Sequence, residues 1–320
     1  MEFEPVIGLE VHAQLSTKTK LWCNCRTAVD AKANSLTCPV CLGLPGSLPV
    51  LNEAAVDFAV RFGLAIGAQI NHYSEFSRKN YFYQDLPLGY QITQYELPII
   101  ENGLLRFEIG EVGEEKYPRE VRIERAHIEN DTGKTIHDDV ITGKDKSFVD
   151  FNRAGTPLLE IVTKPDLRSG KEAYYYLHQL RQVLRFIDIC DGNMEEGSLR
   201  CDANVSIRPV GSDQFGTRAE VKNMNSFRNV EKAINFEIER QKQLILAGKK
   251  VVQETRMWDA TTSETKSMRS KEDAMDYRYF PEPDLIPLKI SDDFIQSIKT
   301  DLPELPNDRR DRFKAEYQLS

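Results

Sequence analysis

Ser198-Leu-Arg-Cys-Asp-Ala-Asn-Val-Ser-Ile207 alternates strictly between apolar and polar side chains. A period of two marks a β-strand with one face turned to a core. Leu199, Cys201, Ala203, Val205 and Ile207 make the apolar face, and Arg200, Asp202, Asn204 and Ser206 the other. Ordinary solvated strands favour Thr, Lys and Glu outward, whereas Asp and Asn are poor strand formers. Accepting that local cost on consecutive positions points to the floor of a site. The start of the chain repeats the pattern in Val6-Ile-Gly-Leu-Glu-Val-His-Ala-Gln-Leu15. Here Ile7, Leu9, Val11 and Leu15 face one way, and Gly8, Glu10, His12 and Gln14 the other. Glu10 and His12, roughly 6–7 Å apart along such a strand, form a workable ligand pair for a divalent cation. A plain polar outward face is the competing reading.

Working outward, residues 90–163 read as strands broken by turns at Glu101-Asn-Gly, Asp131-Thr-Gly and Thr142-Gly. Arg125, His127 and Glu129 share one face of one of these strands. Asn52 is positioned to cap a helix from about Glu53 to Leu64, with Val56, Ala59, Val60 and Leu64 as its buried stripe. Leu177, Leu180, Leu184 and Ile187 predict a second helix over 171–187, and Ser226 caps a third carrying Phe227, Val230, Ile234 and Ile238. Strands arriving in runs, with few intervening helices, indicate an α+β fold with a largely antiparallel sheet. From Asp301 the composition changes, and a charged helical pattern begins at Asn307.

Four of the six cysteines crowd together as Cys23-Asn-Cys25 and Cys38-Pro-Val-Cys41. Two close pairs across a short loop suit a tetrahedral four-thiolate zinc site, which leaves no open position for catalysis. Disulfides or unliganded thiols are the alternatives. Cys190 and Cys201 read as buried free thiols.

The 320 residues carry 50 acidic against 42 basic side chains, a net charge of −8. With 40 % hydrophobic and 29 % charged residues, the chain is neither disordered nor collagen-like. Its charge argues against a general polyanion binder. The N-terminus lacks the basic and apolar regions of a secretory signal, and no apolar run is long enough for a membrane span. The expectation is therefore a soluble intracellular protein. No Walker-type loop, nucleophile elbow or Rossmann fingerprint occurs. Any nucleotide must be held by carboxylate-bound magnesium and isolated basic residues. Arg78-Lys79-Asn80, ahead of Tyr81-Phe-Tyr83, reads as a phosphate grip or as a solvated turn. Glu220 and Lys222 share a strand face, either at the site or as a surface ion pair.

These segments also carry a resemblance. Val6-Ile-Gly-Leu-Glu-Val-His12, Arg78-Lys-Asn-Tyr-Phe-Tyr83 and Asp150-Phe-Asn-Arg-Ala-Gly-Thr-Pro-Leu-Leu-Glu-Ile161 appear in that order. Met194-Glu-Glu-Gly-Ser-Leu-Arg-Cys-Asp-Ala-Asn204, Lys222-Asn-Met-Asn-Ser226 and Asp276-Tyr-Arg-Tyr-Phe-Pro-Glu-Pro-Asp284 follow. Together they resemble the B subunits of tRNA-dependent aspartyl/glutamyl-tRNA amidotransferases. The resemblance implies a cradle related to the glutamine synthetase and guanido kinase fold, over residues 1–295, with the zinc loop at about 22–45. Residues 296–320 would begin a helical domain cut short at the end of this chain.

It further implies ATP- and magnesium-dependent phosphorylation of the side-chain carboxylate of Glu or Asp misattached to tRNA(Gln) or tRNA(Asn). Ammonia would come from a glutaminase (amidase) partner, and a small third partner would complete a heterotrimer of protein biosynthesis, in the cytoplasm or an organellar matrix. Carried over by motif, Glu10, His12, Glu129, Glu160 and Asp202 are magnesium ligands. Lys79 and Arg200 neutralise phosphoryl charge, with Asn204 and Arg278 also at the nucleotide. The family usually reads Glu-Glu-Asp-Ala-Gly-Lys where this chain reads Glu129-Asn-Asp-Thr-Gly-Lys134, which puts any ligand role at Asn130 in question. A tRNA-independent carboxylate ligase or kinase and a non-catalytic zinc scaffold are the rival readings.

Overall fold

The computed structural model describes residues 2–28, 30–110, 115–136, 146–268 and 276–318. In chain order the strands are β1 (Phe3–Gln14), β2 (Gln69–Ile70), β3 (Tyr73–Ser74), β4 (Ser77–Asn80), β5 (Tyr90–Thr93) and β6 (Ile100–Ile109). Then come β7 (Tyr117–Asn130), β8 (Lys134–Ile136), β9 (Phe148–Asp150), β10 (Pro157–Thr163), β11 (Leu199–Pro209) and β12 (Ala219–Lys222). Four more, β13 (Thr255–Asp259), β14 (Glu264–Ser267), β15 (Phe280–Pro281) and β16 (Leu288–Lys289), complete the set. The helices are α1 (Glu53–Ala65), α2 (Gly170–Phe186), α3 (Phe227–Leu246), α4 (Asp292–Asp301) and α5 (Pro306–Tyr317).

Among the described residues nine strands form one sheet in the order β14-β13-β12-β11-β1-β10-β7-β6-β2, in which only the β12–β13 pairing is parallel. The expected α+β class with a largely antiparallel sheet is observed. The strand read first, β11, lies beside β1 at the centre, with Glu10 opposite Asp202 and His12 opposite Arg200. On the other side of β1, His12 stands opposite Glu160 of β10, and Glu160 opposite His127 of β7. Side-chain alternation does the rest. Ile7, Leu9 and Val11 of β1 join Leu199, Cys201, Ala203 and Val205 of β11 in the core, while their polar neighbours face the other way.

Helices α2 and α3 lie side by side, α2 against β6 and α3 against β11. Helix α3 is capped where the sequence indicates, Ser226 Oγ accepting from Asn229 N. Helix α2 begins at Gly170, one residue earlier than expected, with Ser169 Oγ accepting from Glu172 N as a cap the sequence reading did not name. Asn52 caps α1 in the same way, accepting from Ala54 N. Leu177, Leu180, Leu184, Ile187, Val230 and Ile234 are buried, as are Val56, Ala59 and Val60 of α1. Leu64 is only half-buried; Phe62 takes the interior position instead.

One expected turn is absent. Strand β6 runs straight through Glu101-Asn-Gly, with Asn102 at φ +58° inside it. The glycine has a packing cause: a Cβ on Gly103 would lie 2.3 Å from Ile66 Cδ1 and 3.3 Å from Ala68 Cβ, so a side chain there would displace Ile66 at the end of α1. The turn expected at Thr142-Gly lies outside the described residues. Helix α4 spans residue 295 and buries Ile298 in the same core cluster as α1. Among the described residues no helix is long and apolar enough to cross a membrane.

Candidate functional site

Three adjacent strands of antiparallel register bring Glu10, His12, His127, Glu129 and Glu160 together on the polar face of the sheet. His12 Nε2 lies 3.4 Å from Glu129 Oε1, 3.4 Å from Glu160 Oε2 and 3.9 Å from Glu10 Oε1. His127 Nε2 lies 3.3 Å from Glu160 Oε2 and 3.9 Å from Glu129 Oε2. Two ligand groups result, Glu10/His12/Glu160 and His127/Glu129/Glu160, each with its donor atoms within 4.8 Å of one another. Glu160 belongs to both. Asp202 belongs to neither: Lys222 Nζ holds its carboxylate at 2.5 Å, and also reaches Glu220 Oε1 at 3.0 Å. Lys222 and Glu220 thus belong to the site face and not to a remote surface pair.

Crowding carboxylates under cover is costly, because burial and a like neighbouring charge both disfavour ionisation. Burial raises the Glu129 carboxyl, and the neighbouring Glu160 raises it further. Burial followed by Glu160 does the same to Glu10. Glu160 goes the other way: His127 and His12 outweigh its burial and hold it well below the usual carboxylate range. Burial opposes a charge on His12, yet Glu160, Glu129 and Glu10 lift its pKa to about 9. Glu129 Oε2 and His127 Nδ1 are buried without a hydrogen-bond partner. Carboxylates close together with an unsatisfied buried oxygen fit a hard divalent cation, which takes oxygen ligands readily and imidazole nitrogen as well.

The match to a protein-family model decides the relationship. The model describing the GatB/GatE catalytic domain matches residues 5–296, and so covers the sheet and the whole cluster. The chain belongs to the GatB/GatE catalytic-domain family. In Thermodesulfovibrio yellowstonii, the B subunit of the aspartyl/glutamyl-tRNA(Asn/Gln) amidotransferase is 57 % identical over 319 residues, covering 100 % of this chain and 65 % of its own length. The B subunits of the same enzyme from Geobacter sulfurreducens and Desulfotalea psychrophila are 58 % and 54 % identical, again over 100 % of this chain and 66 % of their own lengths. The chain thus spans about two thirds, 65–66 %, of these curated relatives.

In this GatB/GatE-family chain the departure at Asn130 has a structural answer. Glu129 and Asn130 are neighbours on β7 and point to opposite faces. Asn130 Oδ1 accepts from Trp22 Nε1 and from Ile92 N, both at 3.0 Å. It is a buried structural acceptor on the face opposite Glu129.

Lys79, Arg200, Asn204 and Arg278 fare differently. Lys79 projects toward the cluster: burial works against its ammonium, but Glu129 and, more weakly, Tyr279 and Glu160 raise its pKa. Arg200 Nη2 donates to Asp131 Oδ2 at 2.9 Å, and Arg153 Nε lies 3.5 Å from that oxygen. Asn204 lies two residues along β11 from Asp202, opposite Glu220. Arg278 is not brought to the cluster; its largely exposed side chain lies 3.7 Å from Asp276. Its neighbours face inward instead, Tyr277 with its ring 5.0 Å from Lys79 Nζ, and Tyr279 stacked on Tyr95 at 3.9 Å. The phosphate grip expected of Arg78-Lys79-Asn80 reduces to Lys79. Arg78 donates to both oxygens of buried Glu282, and Asn80 Nδ2 donates to the carbonyls of Tyr277 and Arg278. These three residues also sit on a strand, β4, so the solvated-turn alternative fails. Ser206, read as site floor, is buried with its hydroxyl toward Val6 O.

The family chain's four cysteines meet as the sequence spacing suggests. Cys23, Cys25, Cys38 and Cys41 present sulfurs within 4.8 Å of one another, and Cys38 and Cys41 are 3.9 Å apart at Sγ. A tetrahedral zinc with Zn–S bonds of about 2.3 Å needs sulfurs about 3.8 Å apart. Hydrogen bonding from Cys23 holds the Cys41 thiol down to about 4, while burial pushes Cys25 up to about 11. Cys190 and Cys201 are buried elsewhere, as expected of unliganded thiols.

Sequence reasoning passed over Tyr277, Tyr279, Asp131 and Arg153 as site residues, and left His127 out of the ligand set. The signal for His127 was present, since it stands two positions from Glu129 on one strand face. The tyrosines lie in a segment that its mix of aromatics and charges marks, but their place depends on a pairing between segments about 200 residues apart.

Proposed function

We propose that this chain carries the phosphorylating site of a tRNA-dependent amidotransferase, on a cradle of the glutamine synthetase and guanido kinase kind. The substrate is the side-chain carboxylate of Glu or Asp on misacylated tRNA(Gln) or tRNA(Asn). A carboxylate oxygen attacks the γ-phosphorus of ATP and ADP leaves. Ammonia then attacks the acyl carbon and expels phosphate. Glu10, His12, Glu129 and Glu160 would hold magnesium, which when bound neutralises charge on the phosphates. Lys79 offsets the charge that develops on the transferring group, and the Lys222–Asp202 and Arg200–Asp131 pairs hold the polar walls in register. The four-cysteine loop takes a structural zinc. Ammonia comes from a separate glutaminase chain, and a small third chain completes the assembly.

The carrying observation is the shared carboxylate. Glu160 faces two histidines at 3.3–3.4 Å and joins both ligand groups. A scaffold has no use for that concentration of buried charge. Glu160→Gln is expected to weaken manganese binding by roughly 10–100-fold or more, the range lost with even a supporting partner of a metal site. It should also abolish ATP-dependent formation of an acyl phosphate, trapped by hydroxylamine as the hydroxamate. Normal metal affinity and normal hydroxamate yield in the variant would sink the reading.

A further inference from the structure

The sequence carries two aromatic-and-charged segments, Arg78–Tyr83 and Asp276–Asp284, and the fold joins them into one unit beside the site. Strand β15 adds to the edge of β4, with Phe280 opposite Arg78 and Pro281 opposite Ser77. Further along, Asn80 N and Asn80 Nδ2 both donate to Tyr277 O at 3.0 Å, and Glu282 N donates to Phe76 O at 2.7 Å. Between these anchors sits Arg78. Its Nε and Nη2 each lie 2.7 Å from a different oxygen of Glu282, its Nη2 also reaches Asp284 Oδ2 at 3.1 Å, and its guanidinium lies 4.2 Å from the centre of the Tyr90 ring. Glu282 is only 2 % exposed.

A bidentate, stacked pair of this kind fixes direction as well as distance, because the guanidinium fork matches the carboxylate only in one plane. Its location gives it a second consequence. The segment it fastens brings Tyr277 and Tyr279 over Lys79, whose Nζ lies 5.0 Å from the Tyr277 ring and 5.9 Å from the Tyr81 ring. Tyr279 continues the wall through its contact with Tyr277 at 5.8 Å and its stack on Tyr95. Arg278, between the two tyrosines, takes the left-handed conformation at φ +46°, which a non-glycine residue holds only where its surroundings impose it.

We propose that Arg78 and Glu282 are positioning residues: their ion pair straps Asp276–Asp284 across the site edge so that Tyr277 and Tyr279 wall in and aim the Lys79 ammonium. Arg78 is therefore withheld from phosphate, and Lys79 is the cation the pair serves. The geometry stands without any reaction, while the consequence for phosphoryl transfer rests on the function proposed above. Misplacing a charged group by about 1 Å is enough to cost on the order of 10²-fold in such a step.

The test reads Lys79 directly in the full chain, by limited labelling with an amine-reactive acylating reagent and peptide mass spectrometry. Exposed Lys249 serves as the internal reference. Arg78→Lys keeps the charge but loses the fork and the stack, and Tyr277→Ala removes the wall while leaving the pair. Both are expected to raise Lys79 labelling several-fold relative to Lys249. If Arg78→Lys does not fold, Glu282→Asp, which shortens the reach of the carboxylate, gives the same readout. Unchanged Lys79 labelling in a folded pair variant, with labelling raised in Tyr277→Ala, would overturn the strap. Unchanged labelling in Tyr277→Ala would overturn the wall. If the wild-type chain forms no acyl phosphate, the proposed function fails and the labelling result still decides the strap.

Discussion

At the scale of single residues, the site turns on which way neighbouring side chains point. Glu129 and Asn130 look interchangeable in a string of polar letters, and a strand separates them completely. The alternation that betrayed β11 also runs through Arg125, His127 and Glu129, so the face of β7 that joins the cluster was legible. What Asn130 does was not, because its partners Trp22 and Ile92 come from distant segments. Its role yields a sharp contrast. Asn130→Ala strands two buried donors, the Trp22 indole and the Ile92 amide, at about 1–3 kcal/mol each. The variant should therefore lose about 2–6 kcal/mol of stability in a denaturant titration, with manganese affinity of the folded protein unchanged. A matching loss of metal affinity at low denaturant would mean that Asn130, not Glu129 alone, shapes the ligand set.

At the scale of elements, caps and stripes were readable because each is local: Ser226 and Asn52 lie within three residues of the amides they satisfy. Long-range charge was not. Helix α3 carries Glu237 on its buried face, fully covered, where it accepts from Arg240 and Gln241 and lies 3.5 Å from Arg256 of β13. Nothing in a helical period announces a carboxylate that replaces an apolar residue to hold two elements together. The cysteine loop lies between these cases. Its spacing is local, yet the closeness of its sulfurs depends on the chain returning on itself between Cys25 and Cys38. Structural zinc sites carry apparent binding free energies of about 10–16 kcal/mol. Stripping the metal should accordingly speed amide exchange across 20–45 well before the nine-stranded sheet exchanges. Elemental analysis should give one zinc per chain. No zinc, with all four thiols freely titratable, would end the assignment.

For the molecule as a whole, the question is which half of the proposed reaction this chain performs. Hydrolysing glutamine demands an activated nucleophile, usually a thiol or hydroxyl beside a base. Cys190 and Cys201 are buried, and burial pushes Cys190 up to about 12 and raises Cys201 as well, away from the reactive thiolate. The other four cysteines are committed to one another, and the hydrogen bonds of Cys38, Cys41, Cys190 and Cys201 run to backbone groups or to a fellow sulfur. His12 and His127 are engaged with carboxylates, and His178 packs against Tyr174 and Phe227. Among the described residues there is no Cys–His pair able to open the amide of glutamine. The polar sheet face, by contrast, gathers the carboxylates and imidazoles on which the proposed phosphorylation rests. The chain alone should therefore release no glutamate from glutamine, with or without ATP and misacylated tRNA. Ammonium salts should replace glutamine as the nitrogen source, and amide formation should then depend on ATP and on Glu160. Glutamate release by the purified chain, surviving in a Glu160→Gln background, would place a second active site within these residues and break the division of labour argued from its cysteines and histidines.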